Sequence, residues 1–287
     1  MHVIIIGSGP AGISAALYAR RGGADVTVTA NGAGALARAE MIENYYGFAA
    51  PISGTDLLQR GIAGAKRLGV VFEEDEIVGV RPMDTGAGFF VEGIRRTYEG
   101  DAVILAAGAP RRTVSVPGLR AFEGRGVSYC AICDAFFYRG KKAAVIGAGA
   151  YALHEAQILL PHAAQVTMLT NGAALEAKPP EPIAVVSKKI ARIEGDRRVR
   201  QIIFADDTQM DVDGVFIAIG AAGSLELARK MGVLLHDGAI AVGANMETNV
   251  PGIYAAGDCT GGLLQIAKAV YEGAEAGLAA VRCLRKT

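Results

Sequence analysis

Val3-Ile4-Ile5-Ile6 is an unbroken apolar run, and the same signature returns at Ala102-Val103-Ile104-Leu105 and at Ala143-Ala144-Val145-Ile146. Runs without polar alternation suit parallel strands covered on both faces. Val26-Thr27-Val28-Thr29 and Val166-Thr167-Met168-Leu169 follow the first and third runs as second strands. Helical spacing runs through Ile13, Ala16 and Leu17 to Arg21, over 55–68, from about Tyr151 to Leu160, and over roughly 264–284. The last of these carries a small-residue stripe, Ala269, Gly273 and Ala276, suited to tight packing. Further strands are predicted near 77–81, 88–92, 94–98, 183–186, 198–204 and 215–219, the last ending at Gly220. This alternation predicts an α/β chain with parallel sheets. Prolines 179, 180 and 182 follow the strand at 166–169, so the crossover helix due there is short or absent. Pro110 and Pro117 flank a crossing between domains.

The first apolar strand passes into Gly7-Ser8-Gly9-Pro10-Ala11-Gly12 and then a helix. In such a GxGxxG turn the first glycine allows the bend, the second admits a pyrophosphate, and the third lets helix pack on strand. The phosphates then rest on the helix N-terminus. Gly147-Ala148-Gly149-Ala150-Tyr151-Ala152 repeats the pattern, although Tyr151 is bulky for a turn that approaches a phosphate. The strand at 26–29 ends in Ala30-Asn31 without the usual acidic residue, so that ribose contact is missing or supplied elsewhere; Glu40 and Glu43 are nearby candidates. Late in the chain, Tyr254-Ala255-Ala256-Gly257-Asp258 stops a strand at a carboxylate suited to hydrogen-bonding a polyol, though a plain turn also uses Gly-Asp. Met41 to Phe48 clusters aromatics that could wall a flat ring or form a local core.

A chain of 287 residues has room for two domains. Lysine plus arginine and aspartate plus glutamate number 29 each, which gives no overall field for nucleic acid or an anionic membrane. No apolar run approaches the roughly 18 residues of a membrane span. With Met1-His2 leading straight into a strand, the expected location is the cytoplasm. Structural disulfides are rare in that reducing compartment, so Cys130 and Cys133, at CxxC spacing, read as a catalytic dithiol or metal ligands. Zinc would need two further ligands at a similar spacing, which neither His154 with His162 nor the isolated Cys259 and Cys283 supply, so no metal is expected. Asp134 reads equally as an acid–base group or a helix N-cap.

GSGPAG, GAGAYA, CAICD followed by FFYRGKK, and YAAGD, in this order over nearly the whole chain, resemble the low-molecular-weight thioredoxin reductases. That resemblance implies a homodimer with two Rossmann-like domains, the second inserted into the first: an FAD-binding domain over 1–113 and 241–287, and a smaller dithiol domain over 114–240. By position it gives the FAD pyrophosphate to Gly7, Gly9 and Gly12, the ribitol to Asp258, and the pyrimidine end of the flavin to Gln265. Pro10, Ala11, Asn44, Ala107, Gly108, Gly257 and Ile266 line the same cofactor. Cys133 would face the flavin, Cys130 would attack the disulfide of thioredoxin, and Asp134 would serve as acid–base group, with the small domain rotating about linkers near 113 and 241.

NADPH-using members carry HRRxxxR after the strand that here ends near Leu169; Thr170, Asn171, Gly172 and Glu176 stand at those positions. Losing three charge-assisted hydrogen bonds to a phosphate costs roughly 4–9 kcal/mol, about a thousandfold or more in affinity. The second glycine turn then reads as a structural remnant. ENYYGF and LQIAKAVYEG narrow the resemblance to the flavin-containing ferredoxin–thioredoxin reductases, with ferredoxin as donor. The rival readings are an NAD(P)H-dependent thioredoxin reductase and a flavin-bound redox sensor. The basic pairs Arg111-Arg112, Arg139 with Lys141-Lys142, and Lys188-Lys189 are candidates to meet an acidic ferredoxin, or are solvated turns.

Overall fold

The computed structural model describes residues 1–32, 34–84, 86–108, 115–219 and 223–285. In chain order the first part carries β1 (His2–Ile6), α1 (Pro10–Arg21), β2 (Asp25–Ala30), α2 (Gly54–Arg67), β3 (Val71–Glu74), β4 (Ile77–Pro82), β5 (Phe89–Gly93), β6 (Thr97–Gly100) and β7 (Ala102–Leu105). The middle carries β8 (Val127–Ser128), α3 (Ala131–Asp134), β9 (Lys142–Ile146), α4 (Ala150–Leu159), β10 (Gln165–Leu169), β11 (Ala184–Val186), β12 (Ile190–Gly195), β13 (Val199–Phe204), β14 (Gln209–Asp211) and β15 (Gly214–Ile217). The last part carries α5 (Ser224–Lys230), β16 (Leu235–His236), β17 (Ala239–Ile240), β18 (Ile253–Ala255) and α6 (Ile266–Leu284).

Two compact units result, Met1–Pro110 with Gly223–Thr287, and Arg111–Ala222. The chain re-enters the first unit at 223, earlier than the 241 expected from the sequence. The physical reason is α5, which packs on β4 and whose Lys230 Nζ donates to Val78 O at 2.8 Å. The linker near 113, the pair Arg111-Arg112, Pro110 and Gly220 lie outside the described residues.

In the first unit a parallel sheet runs in the order β18-β7-β1-β2-β3. Val3, Ile4 and Ile5 are fully buried at its centre, as a doubly covered strand requires. Helices α1 and α6 pack closely on one another because α6 offers glycines: a Cβ on Gly273 or Gly277 would collide with the carbonyl oxygen of Ala11 or Ala15. An antiparallel sheet, β4-β5-β6, completes the unit. The expected strand at 94–98 lies instead at 97–100, since Gly93 N donates to Arg96 O and residues 94–96 form the turn.

The second unit repeats the plan with a parallel sheet in the order β11-β10-β9-β15-β8, beside an antiparallel sheet β12-β13-β14. Strands β10 and β11 pair in parallel with no helix between them, in keeping with the prolines at 179, 180 and 182. No helix of the described residues is long and apolar enough to cross a membrane.

Candidate redox site

The first glycine turn is built as an open cradle. Gly7 has φ +116 and its missing side chain leaves room for the Ala106 carbonyl; a Cβ on Gly12 would strike the carbonyl of Gly7. At Gly9, by contrast, a Cβ would meet nothing within 4 Å, so the space above this glycine is free. Gly9 N-caps α1 without any side-chain cap, Pro10 has no N–H to orphan, and the first turn holds no acidic residue. The amides and the positive end of the helix dipole are therefore available to a phosphate.

Residues from the other end of the chain complete the cradle. A Cβ on Gly257 would lie 2.9 Å from the Ala11 side chain, which puts the Gly257-Asp258 turn beside the first turn of α1. Asp258 is half-buried and no hydrogen bond to its carboxylate occurs among the described residues. A buried network holds this turn: Glu272 Oε2 accepts from Gly257 N and Thr260 Oγ1, both at 2.8 Å, and Lys268 Nζ donates to Gly257 O at 2.9 Å. Asn44 and Gln265, 221 positions apart, meet through Asn44 Nδ2 donating to Gln265 Oε1 at 3.1 Å. Ile266 opens α6 directly after. Ala107 N donates to the buried Ser224 Oγ at 2.9 Å, and Gly108 follows. At the end of β2, Asn31 Nδ2 donates to Glu76 Oε2 at 2.8 Å, so a carboxylate does reach this corner, from the β3–β4 junction, whereas Glu40 and Glu43 are exposed. Open glycine, free helix amides and an uncommitted carboxylate fit a dinucleotide carrying a phosphate bridge and a polyol.

Sequence reasoning missed Glu272, Lys268, Ser224 and Glu76. The one available signal was the Lys268/Glu272 pair at i,i+4 on a helix face otherwise made of small residues.

In the second unit Cys130 and Cys133 form a disulfide with Cα atoms 5.4 Å apart. Cys130 caps α3, its Sγ accepting from Cys133 N at 3.2 Å, and its own N donates to Ser128 Oγ at 3.1 Å. Cys130 is buried and Cys133 exposed. Asp134 is half-buried and its side chain makes no capping hydrogen bond, so it does not act as an N-cap. Burial, and after it the charge of Asp134, push the Tyr138 hydroxyl above its ordinary pKa. Around the disulfide, Ile132, Phe136 and Phe137 are 60%, 64% and 67% exposed. Cys259 is a packing residue: its thiol donates to Ala256 O at 3.4 Å, and burial pushes it up to about 11. Among the described residues no group of three or more His, Cys, Asp or Glu could hold a metal ion.

At the second glycine turn an exposed carboxylate lies beside the helix end. Both carboxylate oxygens of Glu176 would lie 3.0 Å from a Cβ on Gly149, the N-cap of α4, and Glu176 N donates to Ala148 O at 3.1 Å. Of the other positions of that pattern, Thr170, at the histidine, is buried, and at the two arginines Asn171 accepts from Ile190 N at 2.7 Å through Oδ1 while a Cβ on Gly172 would lie 3.2 Å from the Lys189 side chain. Tyr151 turns inward, 1% exposed, its hydroxyl 3.5 Å from Tyr129 O.

Comparison with known proteins agrees with these features. Residues 1–273 match the family model described as pyridine nucleotide-disulphide oxidoreductase. The thioredoxin reductase of Listeria innocua is 34% identical over 293 residues, covering 96% of this chain and 91% of that one. The crystal structure of the atypical thioredoxin reductase TRi from Desulfovibrio vulgaris Hildenborough matches with a TM-score of 0.94 at 39% identity, covering 99% of this chain and 98% of that one. A ferredoxin-flavin thioredoxin reductase from Clostridium acetobutylicum matches with a TM-score of 0.74 at 34% identity, over 100% of this chain and 98% of that one. The chain therefore belongs to the pyridine nucleotide-disulphide oxidoreductases, as a flavin disulfide oxidoreductase of the thioredoxin reductase type with FAD as its cofactor.

Proposed function

We propose that this protein reduces thioredoxin with electrons from reduced ferredoxin, and that it does not use NAD(P)H. The observation that carries this reading is the Glu176 carboxylate beside Gly149, together with Gly172 and a committed Asn171, where phosphate-binding arginines would stand. A pyridine nucleotide would have to displace a negative charge from the helix end it needs. The likeness to an atypical thioredoxin reductase and to a ferredoxin-flavin enzyme supports the same reading. Plant-type ferredoxins lie near −400 mV and thioredoxin near −270 mV, so two electrons fall by about 6 kcal/mol.

In this account Gly9, Ala11 and Gly12 would offer amides to the FAD pyrophosphate, Gly7 and Pro10 would shape the open turn around it, and Asp258 would accept from the ribitol hydroxyls. Asn44 and Gln265, joined by their hydrogen bond, would hold the flavin together with Ala107, Gly108, Gly257 and Ile266. Bound FAD supplies a group that takes electrons singly and passes them on in pairs. Cleavage of the Cys130–Cys133 bond takes up two electrons and one proton, leaving one thiol and one thiolate. Asp134, half-buried beside the disulfide, handles that proton. The Cys130 thiolate attacks the thioredoxin disulfide, and Cys133 displaces the mixed disulfide to release reduced thioredoxin. Ile132, Phe136 and Phe137 offer an apolar surface to that partner. In the first unit Met41, Tyr46, Leu263, Leu264 and Tyr271 are at least half exposed, which supports a second copy of the chain covering them.

Anaerobic turnover with catalytic enzyme, reduced ferredoxin and excess thioredoxin tests the reading. Many turnovers per flavin are expected, and Cys130→Ser or Cys133→Ser should abolish them with flavin still bound. A single stoichiometric burst would make the protein a redox sensor.

A further inference from the structure

We infer that Glu155 is a positioning residue for the Cys130–Cys133 couple and that its charge holds the couple toward the disulfide. The inference rests on the reading that these cysteines are the working dithiol. Glu155 lies on α4 and is 1% exposed, so its carboxylate belongs to the interior. Its Oε2 accepts the backbone N–H of Ala131 at 2.7 Å, and Ala131, which is 0% exposed, begins the turn between the two cysteines. One turn earlier on the same helix, Tyr151 reaches Tyr129 O at 3.5 Å. Helix α4 thus grips residues 129 and 131 on either side of Cys130.

Opening the disulfide creates a thiolate inside the turn that Glu155 holds. A carboxylate in a low-dielectric interior opposes a second negative charge nearby. The charge of Glu155 therefore disfavours the reduced form and makes the dithiol a stronger reductant, which suits a donor to thioredoxin. Glu155 acts through the Ala131 amide and through its field.

Glu155→Gln separates the two contributions, since the amide oxygen still accepts from Ala131 while the charge is gone. The flavin-loaded enzyme is equilibrated in dithiothreitol or glutathione buffers at pH 7, and the state of Cys130 and Cys133 is read by mass after alkylation. Glu155→Gln is expected to shift the equilibrium about tenfold toward the dithiol, which is about 30 mV for a two-electron couple. An unchanged equilibrium would leave Glu155 a purely structural residue and overturn the inference. Amide hydrogen exchange on the oxidised wild-type protein gives a second test that needs no variant. The Ala131 amide should exchange at least about a hundredfold more slowly than an open loop; exchange at the open-loop rate would also overturn it. Neither measurement involves turnover, so loss of the dithiol reading itself would appear separately, as activity surviving Cys130→Ser.

Discussion

A carboxylate held over the N-terminus of a helix occupies the field that would otherwise draw a phosphate. The Glu176 carboxylate lies beside Gly149 at such a helix end, so replacing it by glutamine should make that end more receptive to anions. ADP binding by Glu176→Gln, followed by calorimetry, is predicted to tighten roughly three- to fivefold, the equivalent of about 1 kcal/mol at a helix terminus. Equal affinity in both proteins would mean that the carboxylate does not oppose anions there. The sequence made the missing arginines plain at 170–176, but the placement of Glu176 on Gly149 depends on a loop with no periodicity to read. Cys259 poses a simpler case. With its thiol pushed up to about 11 by burial, it stays protonated at pH 8. The exposed Cys283 does not share that shelter. Native oxidised protein treated with iodoacetamide at pH 8 should take one label, on Cys283; a second on Cys259 would show that the site opens.

Local chemistry made some elements easy to anticipate and hid others. Strand β1, the glycine turn and α1 form a unit whose steric needs are written in consecutive residues. The structure divides those needs: Gly12 meets the Gly7 carbonyl, while Gly9 faces open space. Gly12→Ala should therefore unfold the first unit or cost several kcal/mol, because a backbone carbonyl cannot yield. Gly9→Ala should fold normally, with a melting temperature near wild type, and lose flavin on gel filtration. If Gly9→Ala kept flavin as wild type does, the pyrophosphate would lie elsewhere. The stripe on α6 was also legible, since Gly273 and Gly277 sit where Ala11 and Ala15 come close. Strands β12 and β14 were not. β12 pairs with a register shift that breaks its alternation, and β14 has three residues with little burial. Their pairing is set by contacts across the chain, and no short window of sequence contains those.

At the scale of the whole molecule, the repeated strand–glycine–helix pattern indicated two nucleotide-binding folds, and the structure has two parallel sheets of five strands. What local patterning could not locate was the return to the first unit at 223, because it rests on Lys230 reaching Val78 across 152 positions. The two glycine turns differ: one is open, flanked by the half-buried Asp258, and the other has the Glu176 carboxylate beside it. Electrons would then enter at the flavin and leave at the dithiol without a pyridine nucleotide seated in the second fold. Anaerobic stopped-flow mixing of the yellow oxidised enzyme with each donor tests this most directly. Reduced ferredoxin should bleach the flavin absorbance rapidly while NADPH and NADH, at millimolar concentration, leave it essentially unchanged over the same period; rapid bleaching by NADPH or NADH would contradict the account.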